Sequence, residues 1–180
     1  MHHQIPPDVA VKKHAEFLDN RGFLNCLVES ETNELLSGYS LKRSYSKKSV
    51  ARGLHWQKPT APQEKVITLL RGAILDVLLN LDPCSPEFGQ AYRFELKADD
   101  GVSLVIPSHY GHGFVALAET EFLYLCKGKY SAQDELSLRI VDYLHDVIPV
   151  QDLILSEKDA KALPFVDVAP FLTLSSPDSH

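Results

Sequence analysis

Short apolar runs alternate with turn-forming residues at intervals of roughly ten positions, the spacing of an all-β sandwich or barrel. This pattern predicts strands over 24–28, 50–55, 65–70, 73–79, 92–96, 103–106, 113–117, 121–126 and 136–141. Arg71-Gly72, Asp99-Asp100-Gly101 and Ala118-Glu119-Thr120 each separate two such runs and read as tight hairpin turns, with Gly72 free to adopt positive φ. Helical periodicity is weak. Its best stretches are 8–14, 32–36 and 156–161, the last opening with the capping-type Ser156. No internal repeat or low-complexity tract is present, and 175–180 is a polar tail.

The chain has 180 residues, 44% of them apolar, enough for one globular domain with a sizeable core. With 18 Lys+Arg against 24 Asp+Glu it carries a formal charge of −6, which argues against a nucleic-acid partner. The longest nearly apolar stretch, 66–79, is broken by Arg71-Gly72 and Asp76, so no bilayer-spanning segment is expected. The first residues lack a signal peptide's basic start and apolar run. Cys26, Cys84 and Cys126 are far apart and offer neither a disulfide framework nor a zinc knuckle. A cytoplasmic protein is expected.

Charge is unevenly spread. Between positions 35 and 63 there is no acidic residue, while Lys42, Arg43, Lys47, Lys48, Arg52 and Lys58 all fall there. Such a strip fits an anionic small ligand, or a solvated loop in the case of Lys47-Lys48. Arg52 lies inside an apolar run and is harder to assign to solvent. Strand alternation across 50–55 places Arg52 with Leu54 on one side and Gly53 with His55 on the other. His112, among prolines and glycines in 106–114, is placed at a turn between strands. Lys65 either leaves its strand end or points into whatever the sheet encloses. Tyr124 shares a face with Phe122 and Cys126, as a core residue or as an acid.

Taken together, Arg52-Gly53-Leu54-His55-Trp56-Gln57, Lys65, Ser85-Pro86-Glu87-Phe88-Gly89, Ile106-Pro107 with Gly111-His112-Gly113-Phe114, Glu121-Phe122-Leu123-Tyr124, and Leu155-Ser156-Glu157-Lys158-Asp159 resemble the dTDP-4-dehydrorhamnose 3,5-epimerases. The resemblance runs from about 17 to 159 and implies a single cupin-type jelly-roll domain over 1–180. It also implies an isomerase of nucleotide-sugar metabolism, in dTDP-rhamnose biosynthesis. The substrate of that family is a nucleotide-linked 4-keto-6-deoxyhexose inverted at C3 and C5.

Inversion next to a ketone needs a base, a stabiliser for the enolate oxygen and an acid opposite the base. By resemblance His55 is the base, Asp159 orients it, Lys65 holds the enolate oxygen and Tyr124 is the acid. Arg21, Arg52, Gln57, His112, Glu135 and Lys158 would hold the nucleotide diphosphate or sugar. No cofactor or metal is implied. His55, Gln57 and His112 would be an atypical metal set, the alternative that other cupins bring to mind. The resemblance further implies a homodimer with exchanged N-terminal strands, in which Arg21 reaches the neighbouring site. Cys26 and Ser40-Leu41-Lys42 depart from the family pattern, as does 141–150, and leave the nucleotide and sugar open. The alternatives are a 3-epimerase, an epimerase of another nucleotide sugar, and a non-catalytic sugar-nucleotide-binding cupin.

Overall fold

The structure is a computed structural model describing residues 5–13, 16–19, 22–25 and 39–174. It is a β-sandwich of two antiparallel five-stranded sheets. One sheet holds, in spatial order, β1 (Ala10–Lys13), β9 (Val102–Ile106), β6 (Glu64–Arg71), β11 (Thr120–Lys127) and β4 (Tyr39–Ser46). The other holds β12 (Glu135–Ser137), β5 (Ala51–Gln57), β10 (Tyr110–Ala116), β7 (Ala73–Asn80) and β8 (Ala91–Lys97). β2 (Glu16–Asp19) and β3 (Gly22–Asn25) pair antiparallel as a third, two-stranded sheet. The predicted all-β class and most strand positions are observed. Positions 26–36 and 175–180, with the expected helix at 32–36, lie outside the described residues.

The three expected hairpins are instead corners. Each of the turns at Gly72, Gly101 and Glu119 carries the chain from one sheet to the other, so the flanking strands do not pair. A turn signal marks reversal equally well in both cases, and only strand pairing tells them apart. Gly72 and Gly101 have φ of 85° and 61°, as their turns require. The corners at Gly72 and Glu119 stack: Leu117 N–H donates to Ala73 O at 2.9 Å and the Thr120 hydroxyl to the same oxygen at 3.0 Å.

Three elements differ from expectation. The stretch 8–14 contains strand β1 rather than a helix, because Ala10 to Lys13 pair with Val105 to Val102 of β9. Tertiary pairing overrides a four-residue preference here. The run 136–141 leaves the sheet after Ser137 and enters a 3₁₀ turn over Ile140–Tyr143. Ile140 and Leu144 are thereby buried against the outer face of the second sheet. The 156–161 expectation holds as α1 (Glu157–Ala160) with Ser156 at its N-cap.

Between the sheets lies a core of Ile67, Leu69, Leu104, Ile106 and Phe122 against Ile74, Leu78, Leu96 and Phe114. A second cluster, including Leu54, Trp56, Val77 and Leu79, covers the outer side of the second sheet. It is capped by Leu138, Ile140, Leu144 and α2 (Phe165–Leu174) through Val168. The outer side of the first sheet has no such cover among the described residues and exposes Leu41, Tyr45 and Leu70. No helix among the described residues is long and apolar enough to cross a membrane.

One irregularity positions the site. On β10 His112 and Phe114 are two positions apart, whereas their partners on β5, His55 and Arg52, are three positions apart. The extra residue is a bulge at Gly53-Leu54, and it breaks the expected alternation. Leu54 turns outward into the second cluster, and Arg52 joins His55 on the inner face, where both line one cavity. Glycine is required here, since Gly53 has φ of 104° and a Cβ on it would lie 2.7 Å from His112 O. Opposite it, a Cβ on Gly113 would lie 2.6 Å from Arg52 O.

Gly53→Ala is therefore expected to lower stability by at least about 2 kcal/mol, a fall in Tm of about 4–8 °C. Gly101, with φ of 61° and nothing within 4 Å of an added Cβ, serves as control. Thermal denaturation of Gly101→Asn should show a loss below about 1 kcal/mol. Equal losses in the two variants would contradict this account of the bulge.

Candidate active site

A cavity of about 340 Å³ opens between the sheets. Arg52, His55, Gln57 and His112 come from the second sheet, Lys65, Tyr124 and Cys126 from the first, and Glu135 from the edge strand β12. All but two of the residues expected at the site by resemblance reach this cavity wall or are Asp159, one hydrogen bond behind it. Lys158 touches the site through Glu135, and Arg21 lies outside the described residues.

His55 is the residue around which the wall is built. Its Nε2 lies 2.7 Å from Asp159 Oδ1. The Ser156 hydroxyl donates to Asp159 Oδ2 at 2.8 Å, and Gly53 N–H adds a third hydrogen bond to the same carboxylate. Burial pushes the Asp159 carboxyl up, but the hydrogen bonds from His55, Ser156 and Gly53 outweigh it and hold the group below its ordinary value. An ionised carboxylate can only accept, so Nε2 carries the ring proton and the lone pair is left on Nδ1.

A second pair stands beside the first. His112 faces His55 across the strands, inside β10 and buried, not at the turn where its neighbours had placed it. The prolyl turn ends at His109, three residues earlier. His112 Nε2 lies 2.8 Å from Asp76 Oδ2, and Asp76 Oδ1 is buried with no hydrogen-bond partner.

The opposite wall supplies the cation and the phenol. Lys65 points inward from β6, and its Nζ donates to His55 O at 3.0 Å, spanning the gap between the sheets. Burial pushes its pKa down to about 8, partly offset by Cys126, Glu135 and Asp76. Tyr124 projects from β11 and packs on Phe122 with ring centroids 4.5 Å apart. Burial pushes its hydroxyl up, against the pull of Arg52 and a hydrogen bond with Ser44, so it is protonated at neutral pH.

The mouth is polar. Glu135 accepts from Lys158 Nζ and from the Tyr130 hydroxyl, and Lys42 Nζ sits 5.7 Å from the Tyr130 ring centroid. Burial raises the Glu135 carboxyl, and the bonds from Lys158 and Tyr130 bring it below its ordinary value. Arg52 is fixed by Ser46 Oγ and Tyr45 O, both at 3.1 Å. Gln57 is buried and accepts from Ser131 N–H at 3.1 Å. Lys47 and Lys48 are exposed, as a solvated loop would have them. Among the described residues no group of three or more His, Cys, Asp and Glu side chains is placed to hold a metal ion.

Sequence reasoning missed Asp76, Ser44 and Tyr130 and treated Ser156 only as a cap. Asp76 had a usable signal, an acid inside an otherwise apolar run, which indicates a buried carboxylate with a specific partner. Ser44 and Tyr130 carried none, because β4 is an edge strand of mixed polarity and Tyr130 lies in a loop.

The chain matches the family model for dTDP-4-dehydrorhamnose 3,5-epimerase over residues 4–167. It is 34% identical to the dTDP-4-dehydrorhamnose 3,5-epimerase of Pseudomonas aeruginosa, covering 92% of this chain and 95% of that one. The crystal structure of the same-named enzyme from Elizabethkingia anophelis superposes with a TM-score of 0.79 at 33% identity, covering 92% of this chain and 98% of that one. The dTDP-6-deoxy-D-glucose-3,5-epimerase of Legionella pneumophila, solved with dTDP-4-keto-L-rhamnose, gives 0.80 at 28% identity and 95% of both chains. With an epimerase sandwich, its inward histidine and lysine and a match along nearly the whole length, this chain belongs to the dTDP-4-dehydrorhamnose 3,5-epimerase family.

Proposed function

We propose that this epimerase inverts C3 and C5 of dTDP-4-dehydro-6-deoxy-D-glucose to give dTDP-4-dehydro-L-rhamnose, with His55 as base and Tyr124 as acid. The observation that carries the assignment is their placement on facing walls of one cavity, with Lys65 reaching between them. Both C3–H and C5–H are acidified by the C4 ketone, so the carbonyl is the electron sink and no cofactor is called for. His55 Nδ1 takes the proton as the C4 oxygen gains charge, and Asp159 stabilises the imidazolium through Nε2. The Lys65 ammonium stabilises the enolate oxygen. Tyr124 then delivers a proton from the other wall, which inverts the carbon, and solvent resets the pair by taking the proton from His55 and returning one to Tyr124. Arg52 and His112 would bind the diphosphate and sugar beside the base, with Gln57, Glu135 and Lys158 toward the mouth, and in a dimer Arg21 would serve the neighbouring subunit's site.

In D₂O the wild type is expected to exchange C3–H and C5–H of dTDP-4-dehydro-6-deoxy-D-glucose, followed by proton NMR. His55→Ala should lose about 10²- to 10⁴-fold in exchange rate. Exchange at C3 alone would assign a 3-epimerase, and full exchange by His55→Ala would remove His55 as base.

Lys65 generates a pH prediction. The enolate needs the ammonium, which in the free enzyme is lost as pH rises through about 8. The basic limb of kcat/KM should therefore lie near pH 8, and Lys65→Arg, always protonated, should abolish that limb at reduced rate. An unchanged limb in Lys65→Arg would show that another group sets it.

We also propose a cytoplasmic homodimer. The buried free thiol of Cys126 fits a reducing compartment. The bare face bearing Leu41, Tyr45 and Leu70 fits a second copy. Sedimentation at micromolar concentration should show twice the chain mass, and a monomer there would contradict the dimer.

A further inference from the structure

We infer that Ser156 is a positioning residue for the epimerisation, its hydroxyl fixing the rotation of the Asp159 carboxylate against His55. The inference rests on the reading of His55 and Asp159 as the base pair. One oxygen does two things: Ser156 Oγ accepts from Asp159 N–H at 3.1 Å and donates to Asp159 Oδ2 at 2.8 Å. Backbone and side chain of Asp159 are thus tied to the same atom. In a common capping box the N3 side chain turns back to the N-cap backbone N–H. Here the N3 carboxylate turns to the N-cap hydroxyl with Oδ2 and spends Oδ1 on His55 Nε2 at 2.7 Å.

The carboxylate is buried, with only 4% of the residue exposed, so no bulk water is at hand to replace a missing donor. Rotation about the Asp χ2 bond is soft, and hydrogen bonds, not the torsion, must hold it. Without the Ser156 hydroxyl, Oδ2 loses a donor and the Oδ1 to Nε2 bond loses its counterweight. The turn is also registered to the strand that carries the base. Ile154 N–H donates to Ser49 O at 2.9 Å and Ala51 N–H to Ile154 O at 3.0 Å, so 154–156 runs beside the start of β5.

The test compares Ser156→Ala, Ser156→Gly, Ser156→Thr and Asp159→Asn in the full chain, with dTDP-4-dehydro-6-deoxy-D-glucose as substrate and kcat and KM measured separately. Glycine is a tolerated N-cap, so Ser156→Gly removes the hydroxyl while keeping most of the cap's stability. Ser156→Ala and Ser156→Gly should each lose about 10- to 100-fold in kcat with KM within about 3-fold. Ser156→Thr, which keeps the hydroxyl, should stay within about 3-fold of wild type in both. Adding Ser156→Gly to Asp159→Asn should cost nothing further, since the serine acts only through that carboxylate. Full kcat in Ser156→Gly while Asp159→Asn is impaired would overturn the inference and leave the base pair standing. Full kcat in Asp159→Asn would overturn the base pair itself and the inference with it.

Discussion

Two backbones approach at Gly53 and Gly113 more closely than any residue with a Cβ would allow, and the site depends on that contact. The bulge it accompanies turns Arg52 onto the face of His55, and the Gly53 N–H reaches the Asp159 carboxylate. It also brings His112 opposite His55. A regular strand would send Arg52 outward with Leu54 and leave His55 without its neighbouring cation. The glycines are thus tied to function through geometry, with no chemistry of their own.

The second constraint is electrostatic. Lys65 is placed where burial disfavours its charge, and its ammonium finds a carbonyl, His55 O, rather than a carboxylate to pair with. A cation so poorly compensated gains most from an oxygen that becomes negative in the transition state, which is the condition for preorganised stabilisation. The acidic groups nearby are all directed elsewhere: Asp159 to His55, Asp76 to His112 and Glu135 to Lys158 and Tyr130. Tyr124 is kept protonated by the same burial that lowers Lys65. One buried cavity wall therefore carries both the proposed acid, Tyr124, and the proposed electrophile, Lys65.

Much of this was legible in the residue string. Apolar runs marked seven of the strands within a few positions, and the motif around Arg52 to Gln57 singled out His55, which the structure places on the cavity wall. Other features could not be read from periodicity. The turns at Gly72, Gly101 and Glu119 look the same whether the chain pairs or crosses between sheets, so topology stayed hidden. Local alternation assumes a regular strand, and it misassigned Arg52 because the bulge depends on β10, some sixty residues away. His112 appeared loop-like from its glycines, yet those glycines admit a close strand. Convergence of His55, Lys65, Tyr124 and Asp159, spread over a hundred positions, is a property of the packed sandwich alone.

The central claim is that base and acid act from opposite walls, and Tyr124→Phe separates them most directly. With the phenol gone, His55 can still remove the C3 proton, exchange it with solvent at its partly exposed ring and return deuterium to the same face. Following dTDP-4-dehydro-6-deoxy-D-glucose in D₂O, the account predicts C3–H exchange within about 10-fold of wild type and inversion slowed by about 100-fold or more. Exchange and inversion falling together to the same extent would contradict it, because Tyr124 would then be needed for the deprotonation itself.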